Sequence, residues 1–178
     1  MNAEHHAPLA IVVVDDHPLF TDGLRYQLEA IVPSARVECF GTLREACAAL
    51  DSELSCGLIL LDLALPDAQG FEALTRLRAI RPDVPAVILS GMDEARLIVQ
   101  CLEHGAAGFI PKSASQRRTV HALEHVLSGG VYVPEEVASY AGVDLARVRD
   151  VASRARARFA GAAADPDRQS PSMSGSGA

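Results

Sequence analysis

Five short runs along the chain are apolar or β-branched: "LAIVVV" (9–14), "ARVEC" (35–39), "CGLILL" (56–61), "PAVILS" (85–90) and "AGFI" (107–110). The first, third and fourth are continuously apolar, the pattern of strands buried on both faces. Between the runs the apolar period changes to that of a helix. "PLFTDGLRYQLEAI" repeats at Leu24, Leu28 and Ile31, and "GFEALTRLRAI" repeats at Phe71, Leu74, Leu77 and Ile80. "TLREACAALD" opens on a capping box, with Thr42 followed three residues later by Glu45. "DEARLIVQCLEHG" stops on Gly105, and "SQRRTVHALEHVLSGG" stops on two glycines. Strand and helix thus alternate five times, which predicts a doubly wound α/β fold, a parallel sheet with right-handed crossovers and helices on both faces. Such sheets place their sites beyond the carboxyl ends of the strands.

The polar residues at those ends are not random. The first strand is followed by Asp15 and Asp16, the third by Asp62, the fourth ends at Ser90, and the fifth leads through Pro111 to Lys112. Clustered carboxylates repel one another unless a cation joins them. Hard oxygen ligands suit Mg²⁺, with Mn²⁺ as the alternative. A carboxylate can attack phosphorus to form an acyl phosphate, and a metal and an ammonium would neutralise the oxygens of the moving phosphoryl group. Asp62, directly after a buried strand and before a Pro-containing turn, suits the nucleophile. Lys112 is the only lysine in a chain whose sixteen basic residues are otherwise arginine. A compact ammonium fits a crowded site where the planar guanidinium fork does not.

These residues, in this order and spacing, resemble the receiver domain of bacterial two-component response regulators, over residues 9–134. The resemblance implies the flavodoxin-like five-stranded sheet of order 2-1-3-4-5. It makes Asp62 the phosphoacceptor and Asp16 a direct Mg²⁺ ligand. Asp15 binds the metal directly or through water, and the backbone carbonyl of Ala64 supplies another ligand. Ser90 corresponds to the switch hydroxyl, Phe109 to the switch aromatic, and Lys112 to the phosphate-pairing lysine. The partners implied are a sensor histidine kinase or phosphotransfer protein. The output implied is a change in the face formed by the fourth helix, fifth strand and fifth helix, acting on a partner or on a second copy. Such a domain assists only its own phosphorylation and dephosphorylation, so a conventional enzyme is not expected. "DDHPLF" and "LSGGVYVP" point to the branch that carries LuxR-type helix-turn-helix modules. Two features depart from the commoner pattern. Proline precedes Lys112 rather than following it, leaving the isomer of that bond open, and Ala64 has no side chain to position a hydrolytic water.

The remaining features modify this picture little. The net charge of −7 lies wholly within residues 1–134, while the rest of the chain is balanced. That argues against coating nucleic acid or anionic membrane through charge. No apolar run approaches the ~20 residues of a membrane span, and no signal peptide is evident, so the chain reads as cytoplasmic. Cys39, Cys47, Cys56 and Cys101 lack C-x-x-C spacing and are expected as reduced, buried thiols. His17 is expected to pack at the start of the first helix, and His121 and His125 to lie on a solvated helix face. Residues 1–8 are expected to be flexible, 135–160 to form a helical extension with an arginine-rich side, and 161–178 to be a disordered tail. The extension is too short for a complete DNA reader. A transcription regulator with a shortened DNA-binding tail remains the main alternative. An Asp-nucleophile phosphohydrolase is the other, although its D-x-D on the first strand is not present.

Overall fold

The apolar runs form the strands of one parallel sheet, and the helical patterns cover its two faces. The computed structural model describes residues 10–52, 54–135 and 137; the expectations for residues 1–8 and for the chain beyond 137 lie outside them. The elements are β1 (Ala10–Val14), α1 (Pro18–Ile31), β2 (Arg36–Phe40), α2 (Leu43–Asp51), β3 (Cys56–Asp62), β4 (Ala64–Leu65), β5 (Ala68–Gln69), α3 (Glu72–Ile80), β6 (Ala86–Ser90), α4 (Ala95–Glu103), β7 (Gly108–Pro111) and α5 (Gln116–Leu127). The main sheet has the order β2-β1-β3-β6-β7, which is the predicted 2-1-3-4-5 among its five strands. The sequence pattern did not anticipate β4 and β5, a small antiparallel hairpin directly after β3.

Every residue of β1 is buried, and alternate side chains feed two cores. Val12 and Val14 pack with Ile59, Leu61 and Ile88 against α2, α3 and α4, through Leu43, Leu74, Leu77 and Ile98. Ile11 and Val13 pack with Leu58, Leu60 and Leu89 against α1 and α5, through Leu24, Leu28, Leu123 and Val126. Two-sided burial is why these strands are continuously apolar. The predicted stop of α4 is real: Gly105 has φ of 92°, a left-handed conformation that glycine adopts without a Cβ penalty. Thr42 caps α2 by accepting from the Glu45 amide, as the capping box predicts.

The chain returns to the sheet after α5. Tyr132 forms a parallel bridge with Gly108. Its amide donates to the Ala107 carbonyl and its carbonyl accepts from the Phe109 amide, each at 3.1 Å. A Cβ on Gly108 would lie 3.0 Å from the Tyr132 carbonyl oxygen, so glycine is required for this close approach. The segment pairs with part of the β7 edge and leaves less of it open to other strands.

Candidate functional site

Parallel register turns the spacing of the motifs into a cluster. Val14 of β1 pairs with Leu61 of β3, so the residues one step beyond, Asp15 and Asp62, emerge side by side. Asp62 pairs with Leu89 of β6, and Ser90 pairs with Pro111 of β7, so Ser90 and Lys112 follow in the same staircase. Asp15, Asp62 and Ser90 are buried. These residues start from rigid strand ends, not from mobile loops, which is what positions a reactive group well.

Lys112 is the centre of the charge arrangement. Its Nζ lies 2.7 Å from Asp62 Oδ2 and 2.7 Å from Asp15 Oδ2, with its side chain only 16% exposed. It also sits 4.9 Å from the centroid of the Phe20 ring, a cation–π contact supplied by the first turn of α1. Burial alone would lower the lysine pKa, but the two carboxylates outweigh it and the net shift is upward. The ammonium is thereby kept charged. Its backbone is held too, by the bond from the Lys112 amide to the Ser90 carbonyl at 2.7 Å.

The expectation for His17 is corrected. It is the N-cap residue of α1, but its side chain makes no cap hydrogen bond. The ring instead faces the carboxylates, with Nδ1 2.8 Å from Asp15 Oδ1, 3.0 Å from Asp16 Oδ1 and 3.8 Å from Asp62 Oδ2. Excess negative charge at the strand ends attracts the imidazole away from helix-start packing. Asp15 does not cap the helix either: its Oδ1 accepts from the His17 amide at 3.0 Å, closing a local turn that fixes the carboxylate.

Ser90 Oγ accepts from the Met92 amide at 3.1 Å, which leaves its O–H able to donate. Phe109 is fully buried in the core beside α4. Ala64 donates its amide to Asp62 Oδ1 at 3.2 Å. Together with Asp16 and the rest of the β4–β5 hairpin it lines an open cleft of about 410 Å³. A second groove, of about 200 Å³, lies on the α4-β7-α5 face and is lined by Ile98, Pro111, Tyr132 and Pro134 among others. The described peptide bonds include no cis bond, so the bond before Pro111 is trans.

One ligand atom each from Asp15, Asp16, His17 and Asp62 can be chosen so that all four lie within 4.8 Å of one another. Asp15 Oδ2 is buried against the Lys112 ammonium at 2.7 Å, and no other donor reaches it. Three carboxylates facing one ammonium leave net negative charge. That donor set fits a hard divalent cation. The four cysteines take no part: all are free, and burial raises each thiol pKa, to about 12 for Cys101. His121 and His125 are exposed on α5, and neither belongs to a metal-competent cluster among the described residues.

Sequence reasoning missed His17 and Phe20 as members of the site. Both belong to "DDHPLF", whose first turn of helix had to fold back over the strand ends before their roles could be seen.

Comparison with known proteins agrees with this architecture. Residues 11–124 match the response regulator receiver domain family. The glycerol metabolism activator of Pseudomonas putida is 33% identical over 127 residues, covering 71% of this chain and 58% of that protein. The chain therefore spans little more than half the length of that relative. A LuxR family DNA-binding response regulator from Silicibacter pomeroyi superposes with a TM-score of 0.64 and 36% identity, over 74% of this chain and 99% of that chain. A CheY-like receiver domain protein from Methanospirillum hungatei superposes with a TM-score of 0.60 and 28% identity, over 67% of this chain and 94% of that chain.

Proposed function

Since the chain belongs to the response regulator receiver domain family, we propose that it accepts a phosphoryl group on Asp62 from a sensor histidine kinase or a phosphotransfer protein. The observation that carries this reading is the convergence of Asp15, Asp16, Asp62, Ser90 and Lys112 at the ends of four consecutive strands of the sheet, β1, β3, β6 and β7. An oxygen of the Asp62 carboxylate forms the new bond to phosphorus. The bond from phosphorus to the donor's imidazole nitrogen breaks, and its electron pair stays on that nitrogen. Asp15, Asp16, Asp62 and the Ala64 carbonyl would hold Mg²⁺, which when bound supplies positive charge to the transferring phosphoryl oxygens. Lys112, already 2.7 Å from Asp62, moves with its charge onto a phosphoryl oxygen. Ser90 donates its O–H to another, drawing the loop at Met92 inward.

Output would run through Phe109, a β7 residue fully buried in the core beside α4. Its amide is bonded to the Tyr132 carbonyl, so movement of β7 is felt directly by the segment that leads out of the fold. A population shift at this face then changes its preference for a partner or for a second copy. The relatives named above are an activator and a DNA-binding regulator.

Incubation with acetyl phosphate and MgCl₂ should label the protein at one site, and Asp62→Ala should reduce labelling to background. Undiminished labelling of that variant would remove Asp62 as the acceptor. Repeated turnover of small phosphoesters would instead revive the phosphohydrolase reading.

A further inference from the structure

We propose that Asp67 is a positioning residue for the metal site, clamping the hairpin that carries the Ala64 carbonyl onto the amino end of α2. This rests on the reading of Ala64 as a metal ligand given above. The need for a clamp is geometric. The ladder between β3 and β6 ends at Asp62 and Leu89, so the main sheet no longer holds the chain two residues later at Ala64. What orders Ala64 is the β4–β5 hairpin, in which it pairs with Gln69 while Leu65 pairs with Ala68. A two-stranded hairpin this short has little stability of its own.

Two attachments hold it. Leu65 and Ala68 are buried in the core beneath. At the tip, Asp67 reaches across 24 residues of sequence to the start of α2. Its Oδ1 accepts from the Leu43 amide at 2.8 Å and its Oδ2 from the Arg44 amide at 2.9 Å. These are the first two amides of a helix, which have no partner within it, and a carboxylate is favoured there by the helix dipole. The same bonds, from Arg44 first and Leu43 second, lower the Asp67 pKa and keep it ionised. Thr42 meanwhile caps the third amide, that of Glu45, at 3.3 Å. The amino end of α2 thus has two separable duties: Thr42 finishes the helix, and Asp67 uses it as a post. With Leu43 fully buried, the post is rigid, and two bonds from one carboxylate fix both the position and the rotation of the hairpin.

The separation of duties gives the test. Amide NMR shifts during a MgCl₂ titration measure the dissociation constant, and hydrogen exchange at Ala68, in the pair that closes the two-residue turn, reports the hairpin in metal-free protein. Asp67→Ala should raise the dissociation constant about tenfold, the low end for removal of an outer partner, and speed Ala68 exchange. Asp67→Asn, which keeps one acceptor oxygen, should fall between it and the parent and carries the test if the alanine variant does not fold. Thr42→Ala weakens the same helix end but should leave the dissociation constant within about twofold. The proposal is overturned if Asp67→Ala binds Mg²⁺ as the parent does, or if Thr42→Ala weakens binding equally, which would make the effect one of helix stability. Asp16→Ala marks the underlying reading: if it binds Mg²⁺ as tightly as the parent, the metal site itself is misplaced and the clamp falls with it.

Discussion

Arg81 and Lys112 hold opposite ends of the same sheet, and they do so in opposite ways. At the amino end of β3, Arg81 donates to the carbonyls of Leu54 at 2.9 Å and Cys56 at 3.4 Å, and its remaining charge is met by Asp83 at 3.1 Å. Donors and acceptors match, and the one counter-ion is half exposed. At the carboxyl end, Lys112 faces Asp15 and Asp62, with Asp16 and His17 beside them. Acceptors outnumber donors, since three carboxylates share one ammonium. The first arrangement is complete without any visitor. The second is left in charge imbalance by the fold, and a cation and then a phosphoryl group would relieve it. Such sites are maintained at a cost in stability.

This contrast can be broken or sharpened experimentally. The largest effect is expected at the unbalanced end. Asp16→Asn should abolish the rise in thermal midpoint that MgCl₂ gives the parent, and should raise the midpoint of the metal-free protein by relieving carboxylate repulsion. A metal-free variant less stable than its parent would show that the cluster is not repulsive. Next, Arg81→Met should lose about 2 kcal/mol by urea denaturation, since two carbonyls lose a charged donor, while acetyl phosphate labelling persists. Impaired labelling in that variant would couple the two ends. Gly108→Ala should cost about 1 kcal/mol through overpacking against Tyr132 and speed hydrogen exchange at the Phe109 amide. Unchanged exchange would detach the returning segment from β7.

The smallest effects are in the pH dependence, and their signs differ between the two ends. The Asp83 pKa is lowered, chiefly by its hydrogen bond from Arg81 and against the effect of burial. Its contribution is therefore present above the ordinary carboxylate value of about 3.9 and disappears as pH falls through the lower folded value. The Lys112 pKa is raised. Its contribution is full below the ordinary lysine value of about 10.4 and is lost as pH rises through the higher folded value. Urea midpoints should thus sag in acid for the parent but less for Arg81→Met, and sag in alkali for the parent but less for Lys112→Met. Equal sagging in parent and variant at either extreme would remove the assigned pair.

The three central strands β1, β3 and β6 were readable because burial on both faces imposes a continuous apolar run, as in "IVVV" and "LILL", whereas the edge strand β2 is only partly buried and shows a weaker pattern. Asp15, Asp62, Ser90 and Lys112 were readable because each directly follows or ends such a run. His17 was misjudged because its local pattern, a residue before Pro18 at a helix start, is the same whether its ring packs inward or turns to a charged neighbour. Phe20 had no signal beyond an apolar helix position. The β4–β5 hairpin is too short for a period of two to register, and nothing local links Asp67 to Leu43 and Arg44.

Periodicity and the order of runs are sufficient for the element types, the parallel sheet and the chemistry available at its edge, since these depend on residues near one another in the chain. Which groups meet is a matter of register and packing across long separations. The step from Val14 to Leu61 brings Asp15 beside Asp62, the turn of α1 lays Phe20 and His17 against Lys112, and the return of Tyr132 closes on Gly108. No stretch of sequence contains those pairings, because each is specified by the core that both partners must bury.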